Sequence, residues 1–495
     1  MDSRKSKINI VWYKRDLRFY DHEPLFLAQL QQTPVLLIYA FEPSLIRNHD
    51  SDIRHWRFIY ESISDLNERL SNYESRIHLF QREFPELLLE LSQHFDIQFL
   101  FAHIESGNNL SFQRDKRVNQ ICKGAGIQLI ESKQFGVSRG LKNRKNWQKD
   151  WESHMNSPII EMDLSKVHFL NLEKELYNSI KGHDLNPIFK VPHPSFQKGG
   201  ERMAWKYFQS FLDERHVNYS VFISKPEKSR KSCSRLSPYL AYGNISMKCV
   251  LQKTMATYHT SKNKRALSNF VSRLHWHCHF IQKFESECRM EYENVNKAYD
   301  SLIKPKNEFY IQAFEEAKTG IPIIDACINC LKETGYVNFR MRAMLVSFFV
   351  FNLWQDWRDL HILARWFLDY EPGIHYPQIQ MQAGQTGVNT IRIYNPIKNS
   401  MDHDPDAVFI KKWLPVLKEI PANLIHEPWK LSEMEQKLYH CVIGKDYPIP
   451  IVDLELSRKF ASDQIWAYRK QKSVQKEGLR ILQQHTNPES SRKNK

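Results

Sequence analysis

The first 132 residues alternate between short apolar runs and stretches of helical period, and that alternation leaves few folds open. Residues 8–13 (INIVWY) and 35–41 (VLLIYAF) read as buried strands, as do 76–81, 97–103 and 127–132. Between the first two, DHEPLFLAQLQ reads as a helix with Asp21 as its cap and Pro24 in its first turn. Residues 52–70 carry Trp56, Ile59, Ile63 and Leu66 at helical spacing, and a helix over 114–126 ends near Gly124 or Gly126. The pattern predicts an α/β N-terminal domain over 1–132, a doubly wound parallel five-stranded sheet. No Gly-x-Gly-x-x-Gly follows the first strand, so the usual dinucleotide fingerprint is absent.

Residues 133–198 are richer in Pro and Gly and read as an interdomain linker, and 199–480 as an all-α C-terminal domain. The polar, basic end, 481–495, reads as a disordered tail. Eight scattered cysteines form no disulfide framework, and the lone Cys327-x-x-Cys330 has no second pair to complete a metal site, so no metal is expected. Reduced thiols and a start without a long apolar run point to the cytoplasm. The most apolar helical stretch, 344–354, is too short to span a bilayer, so no membrane partner is expected. The net charge of +14 favours a polyanion, with nucleic acid ahead of a membrane surface.

Between Tyr370 and Pro396 lie six Gln or Asn side chains, three Gly and only two formal charges, Glu371 and Arg392. Neutral amides at that density suit a large planar ligand kept away from bulk water. Arg342 opens a strongly apolar helix and needs an acceptor, for which Asp369 is placed; a structural ion pair or a snorkelling chain is the alternative. Ser232, Ser234 and Ser237 crowd before an apolar helix start, an arrangement that offers hydroxyls and free N–H groups to a phosphate. In RLHWHCHFIQ, His275 and His279 share a helix face, while Arg273, Trp276 and His277 could meet a base and phosphates. The carboxylates of DHDPD, 402–406, read as helix caps or metal ligands.

Six segments in order, VWYKRDLRFYDHEPL, GGERMAWKYFQSFL, SRLSPYLAYGNIS, TGIPIIDACINCLKETGYVNFRMRAML, NTIRIYNP and DHDPDAVFIKKWLPVL, resemble the cryptochrome/DNA photolyase family over about residues 8–430. The resemblance implies an α/β antenna domain and a helical domain holding a U-shaped FAD, with a possible folate or deazaflavin antenna pigment. By position it implies FAD contacts at Tyr219, Ser234, Leu236, Ser237, Arg342, Asp369 and Glu371, with Gln380 and Asn395 from the amide-rich stretch. It places Trp276 against a flipped pyrimidine dimer, and Arg273, His277, Phe339 and Arg340 toward DNA. It places His375 or Tyr376 at the flavin N5, and Trp357 on the electron route. The chain departs from the family pattern where Arg273 replaces an acid or amide, Phe339 replaces an Asn, and Gln380 falls near the innermost Trp of the electron-transfer chain. The expected activity is a monomeric, light-driven photolyase acting on UV-damaged DNA; the alternative is a cryptochrome-like blue-light receptor that binds FAD without repair.

Overall fold

The computed structural model of the chain describes residues 5–486. Five strands, β1 (Ser6–Tyr13), β2 (Val35–Ala40), β3 (His78–Phe80), β4 (Phe95–His103) and β5 (Gln128–Ser132), form one parallel sheet in the order β3-β2-β1-β4-β5. The order reverses at β1, which leaves a crevice at the carboxyl ends of β1 and β4.

Successive strand side chains point to opposite faces. Val11 and Tyr13 join one core with Leu37 and Tyr39, while Ile10 and Trp12 join another with Leu36 and Ile38. The second core is closed by Phe84, Leu87 and Leu91 of the Phe84–His94 helix and by Val118 and Cys122 of the Asn109–Ala125 helix. The first is closed by Ile59, Ile63 and Leu66 of the Ile53–Leu70 helix, and it continues to Tyr239, Leu267, Phe270 and Ile281 in the helical half. A sheet buried on both faces needs apolar residues at consecutive positions, which is why its strands read as unbroken apolar runs.

Local signals behave largely as their chemistry dictates. Asp52 caps the Ile53–Leu70 helix through Arg54 N, and Gly126, at φ 74, ends the Asn109–Ala125 helix. The first helix, Glu23–Leu30, differs from the expectation: His22 caps it, its Nδ1 accepting from Leu25 N at 3.1 Å. Asp21 is instead drawn toward Ile160 N, Ser246 and Lys248. The final helix, Lys472–His485, buries Val474, Ile481 and His485, so positions 481–485 are packed helix and not tail. The rest of the expected tail, 487–495, lies outside the described residues. No helix among the described residues is long and apolar enough to cross a membrane.

A seam of directed bonds joins the sheet to the helical half. Leu17 N donates to Tyr242 O at 3.1 Å, Arg18 Nη1 to Gly243 O at 3.0 Å, and Asn244 Nδ2 to Leu17 O at 3.0 Å. Arg15 reaches across to Glu371 Oε2 and Tyr370 O, both at 2.9 Å. Gly243 is required here. It sits at φ 67, and a Cβ would lie 2.1 Å from Arg15 O and 2.6 Å from Asp16 Cα, both backbone atoms. Gly243→Ala should therefore lower the unfolding free energy by about 3 kcal/mol through left-handed strain and overpacking. The reading is a lowered urea midpoint with an unchanged slope; an unchanged midpoint contradicts the seam.

The fold also buries imidazoles neutral. Burial pushes His55, His78, His154, His361 and His485 down to about 4, and His103 to about 3. Because these folded values lie below the ordinary one, the unfolded chain takes protons first as pH falls. Their stabilisation is complete above about pH 6.5 and drains away toward pH 4. Burial moves Glu291 and Glu371 up to about 7 and Asp325 to about 6, and these carboxyls work in the opposite direction, but the imidazoles outnumber them. Urea midpoints should fall between pH 7 and pH 4.5; a flat or rising profile contradicts neutral burial.

Candidate functional site

The helical half is organised around one ion pair. Asn338 precedes the Phe339–Ser347 helix, and Arg342 lies one turn in. Its Nη1 donates to Asp369 Oδ1 at 3.0 Å, its Nη2 to Oδ2 at 2.8 Å, and its Nε to Val337 O at 2.9 Å. Phe367 lies 4.1 Å and Tyr336 5.7 Å from the guanidinium. The Arg342 side chain keeps 25% of its surface although it is ringed by these groups, so the guanidinium faces a solvent-reached recess, the cleft of the helical half. Burial alone would raise the Asp369 carboxyl; the Arg342 charge and hydrogen bonds, with Ser237, hold it below the usual range. The pairing expected from sequence is present.

The serine-rich segment forms a second wall. The Ser237–Ala241 helix begins at Leu236 without a side-chain cap, and Ser234 and Ser237 are half-buried beside it. Arg235, at φ 60, stacks its guanidinium 3.8 Å from the Tyr336 ring centre and donates to Gln197 Oε1 at 2.7 Å. Tyr219 packs edge-on against Phe211 and Phe270, with Arg273 near its hydroxyl. Around these walls Ser232 Oγ, Arg235 Nε, Tyr242 Oη, His277 Nδ1, Asn338 Oδ1 and His375 Nε2 are buried without a hydrogen-bond partner. Each such atom costs about 1–3 kcal/mol if left unpaired. These unmet donors and acceptors beside a fixed cation suit FAD, whose ring edges, ribitol and phosphates can satisfy them.

Other expected contacts resolve differently. Gln380 is fully buried and spends its amide inside the protein: Oε1 accepts from Val295 N at 2.7 Å, while Nε2 donates to Met290 O and Glu293 O at 2.9 and 2.8 Å. Asn395 caps the Pro396–His403 helix through Lys398 N at 3.0 Å. Glu371 turns to Arg15 on the interdomain seam, and burial pushes it up to about 7 despite that partner. For the two amides the reason is common: irregular turns and helix starts leave backbone groups that side chains must satisfy. Of the amides, Gln378, three residues beyond His375, and Gln385 each keep a buried unpaired Oε1.

His277, read as a DNA contact, points inward, its ring edge-on to Phe135 and within the field of Asp369; burial lowers it to about 4. His375 feels both Arg342 and Asp369, and burial lowers it to about 3. Tyr376, the next residue, faces away toward Tyr370 and Asp50. Trp357 is buried in the helical core and donates its indole N–H to Asn294 Oδ1 at 2.8 Å. Arg273 is exposed, and Trp276 and Phe339 expose 46% and 48% of their surfaces. Arg340 lines an open cavity of about 610 Å³ with Lys398, Arg458 and Trp466. Sequence reasoning missed Arg235 and Tyr336; the only signal was an Arg set between two of the serines.

Two further clusters are structural in their bonding. Asp16 Oδ2 accepts from His22 Nε2 at 3.0 Å and lies 2.8 Å from His103 Nδ1, while Leu25 N occupies the other nitrogen of His22. Asp404 accepts from Phe409 N and Ile410 N, a cap. At the carboxyl ends of the strands a cavity of about 90 Å³ is lined by Trp12, Glu42, Asp50, Glu105 and Arg114, with Arg114 already paired to Glu42 and Glu105. Ring-sized ligands usually take roughly 300 Å³ or more, so the cavity as it stands is too small for an antenna pigment.

Residues 9–135 match the family model described as DNA photolyase, and residues 270–467 the model described as the FAD binding domain of DNA photolyase. A deoxyribodipyrimidine photo-lyase of Alkalihalophilus pseudofirmus is 24% identical over 479 residues, covering 92% of this chain and 97% of that protein. A cryptochrome DASH of Gloeobacter violaceus is 26% identical over 491 residues, covering 91% and 94%. The crystal structure of a Synechocystis cryptochrome shares the fold with a TM-score of 0.83, at 20% identity, over 93% of this chain and 99% of that one. With FAD in the cleft, Arg342→Ala leaves Asp369 an uncompensated charge, and FAD affinity should fall at least about tenfold, roughly 1.4 kcal/mol. Flavin absorbance per chain after purification reads this, and unchanged occupancy contradicts it. With both matched segments in order on one sheet-and-helix architecture, the chain belongs to the cryptochrome/DNA photolyase family and carries its FAD-binding domain.

Proposed function

We propose that the chain is a light-driven DNA repair flavoenzyme that splits UV-induced pyrimidine dimers. The observation that carries the reading is the rim of the cleft. Trp276 adjoins the inward His277, Phe339 stands one turn before Arg342, and both rings are about half exposed. Exposed rings beside cations are stacking platforms for a base taken out of a helix. Arg273 and Arg340, with Lys398 and Arg458 on the open cavity, would hold phosphates, in keeping with the net charge of +14.

Bound FAD, when reduced, supplies the electron that opens the dimer. The protein's part is positioning and electrostatics. Arg342, fixed by Asp369, would balance a reduced flavin's charge in a site where preorganised charge counts most. Ser234, Ser237 and Arg235 would hold the phosphates, Tyr219 would close that end, and neutral His375 would present an unpaired Nε2 to the ring edge. Arg273 and Phe339 stand where repair enzymes of the family usually carry an acid or amide and an Asn, and some relatives of the chain are named cryptochromes. That favours a blue-light receptor as the second reading.

The test is direct. Reduced, flavin-loaded protein under blue light should restore oligonucleotides carrying a cyclobutane dimer, followed by chromatography, and Trp276→Ala should lose at least about tenfold. Affinity for the damaged strand should also fall steeply with salt. No turnover of cyclobutane or 6-4 lesions with the flavin fully reduced contradicts the repair reading and favours the receptor.

A further inference from the structure

We propose that the open cavity next to the cleft rim is a nucleotide subsite, in which Trp466 stacks the base that flanks the lesion on the same strand. The inference rests on the repair reading above and extends it to the nucleotide beyond the dimer. Its starting point is a surface helix. Leu454–Arg469 buries Ala461 and Ile465, and Trp466, the next residue, is 45% exposed. A single exposed ring needs no explanation. This one forms part of a built recess.

The recess measures about 610 Å³, and small-molecule sites usually take roughly 300–1,000 Å³. Its wall sets Trp466 with Tyr394, Arg340, Lys398 and Arg458, and Asp402 is the one carboxylate among the lining residues. Both rings are held in place. Tyr394 N donates to Ser347 Oγ at 3.0 Å, and the Arg340 guanidinium lies 5.9 Å from the Tyr394 ring centre. Arg469 lies 5.4 Å from the Trp466 ring centre and is anchored by donating to Asn389 O at 2.6 Å. An apolar ligand would have no use for three lining cations, and a simple anion no use for two rings. A nucleotide uses both, through the flat face of its base and the charge of its phosphate. Asp402 then accepts from an exocyclic amino group on the base edge.

The occupant follows from continuity with the rim. Phe339 and Arg340 are consecutive in the first turn of the Phe339–Ser347 helix; Phe339 stands on the rim and Arg340 on the cavity wall. A strand whose lesion enters the cleft past Phe339 brings its next phosphate to Arg340 and its next base into the recess. Lys398 and Arg458, both exposed, meet the phosphate after that. A base stacked on Trp466 has left its own partner, so unpairing reaches at least one nucleotide beyond the dimer.

The experiment uses the full-length, flavin-loaded protein in the dark. Its probes are two single-stranded oligonucleotides with a cyclobutane dimer, one carrying 2-aminopurine on the 5′ side of the lesion and one on the 3′ side. Saturation with wild-type protein should quench one of the two probes, because stacking on an indole quenches that base. Trp466→Ala should restore the emission and weaken binding of that strand at least about tenfold. Its affinity for the isolated dimer dinucleotide, which has no flanking base, should match wild type. Flavin absorbance shows that the variant is folded and loaded. Unchanged emission of both probes at saturation, or a quench that survives in Trp466→Ala, overturns the proposal. Light-driven splitting of the dimer dinucleotide by reduced wild-type protein reads the repair proposal separately, because that substrate does not reach the subsite.

Discussion

A guanidinium held by two parallel hydrogen bonds, inside a domain yet not fully dry, is the interaction on which the helical half depends. Arg342 could not sit among Tyr336, Phe367 and Val337 without Asp369, and Asp369 could not stay ionised there without Arg342. A buried pair of this kind is weak evidence for stability, since apolar side chains of the same volume would serve as well. Its value lies in the fixed charge it presents to the cleft. The unpaired polar atoms around it follow the same logic: the fold has been left incomplete where a polar ligand can complete it.

The position of that cleft follows from the sheet. Because β1 and β2 send alternate side chains into two cores, one core is free to run on into the helical half. The seam through Gly243, Arg15 and Tyr370 then fixes how the start of the Pro372–Gln382 helix meets the sheet. His375 faces the cleft and Tyr376 the seam, because one residue along a helix turns the side chain by about 100°. Exchanging their roles would take a rotation of that helix by about 100°, which the interdomain bonds at its start oppose.

Much of this was legible in the sequence where the governing rule is local. Strands buried on both faces must read as apolar runs, and Gly126 ends its helix because the left-handed cap needs no Cβ. Arg342 and Asp369 were paired correctly because an Arg among apolar neighbours has few ways to be satisfied. Two of the amides serve the protein itself. Gln380 and Asn395 satisfy backbone groups of turns and a helix start, and composition alone does not distinguish that use from a ligand's. His277 and Glu371 were misassigned because their facing is set by long-range packing, through Phe135 and Arg15, which sequence spacing does not carry. The choice of His22 over Asp21 as a cap has the same origin: partners more than a hundred residues away claim the aspartate.

The account therefore stands or falls on whether the cleft beside Arg342 and Asp369 takes up a flavin. The most direct measurement is a titration of flavin-stripped wild-type protein with FAD, followed by flavin fluorescence and by calorimetry. The account predicts saturation at one FAD per chain with the flavin emission strongly quenched. Full emission throughout the titration, with no heat of binding, would contradict it.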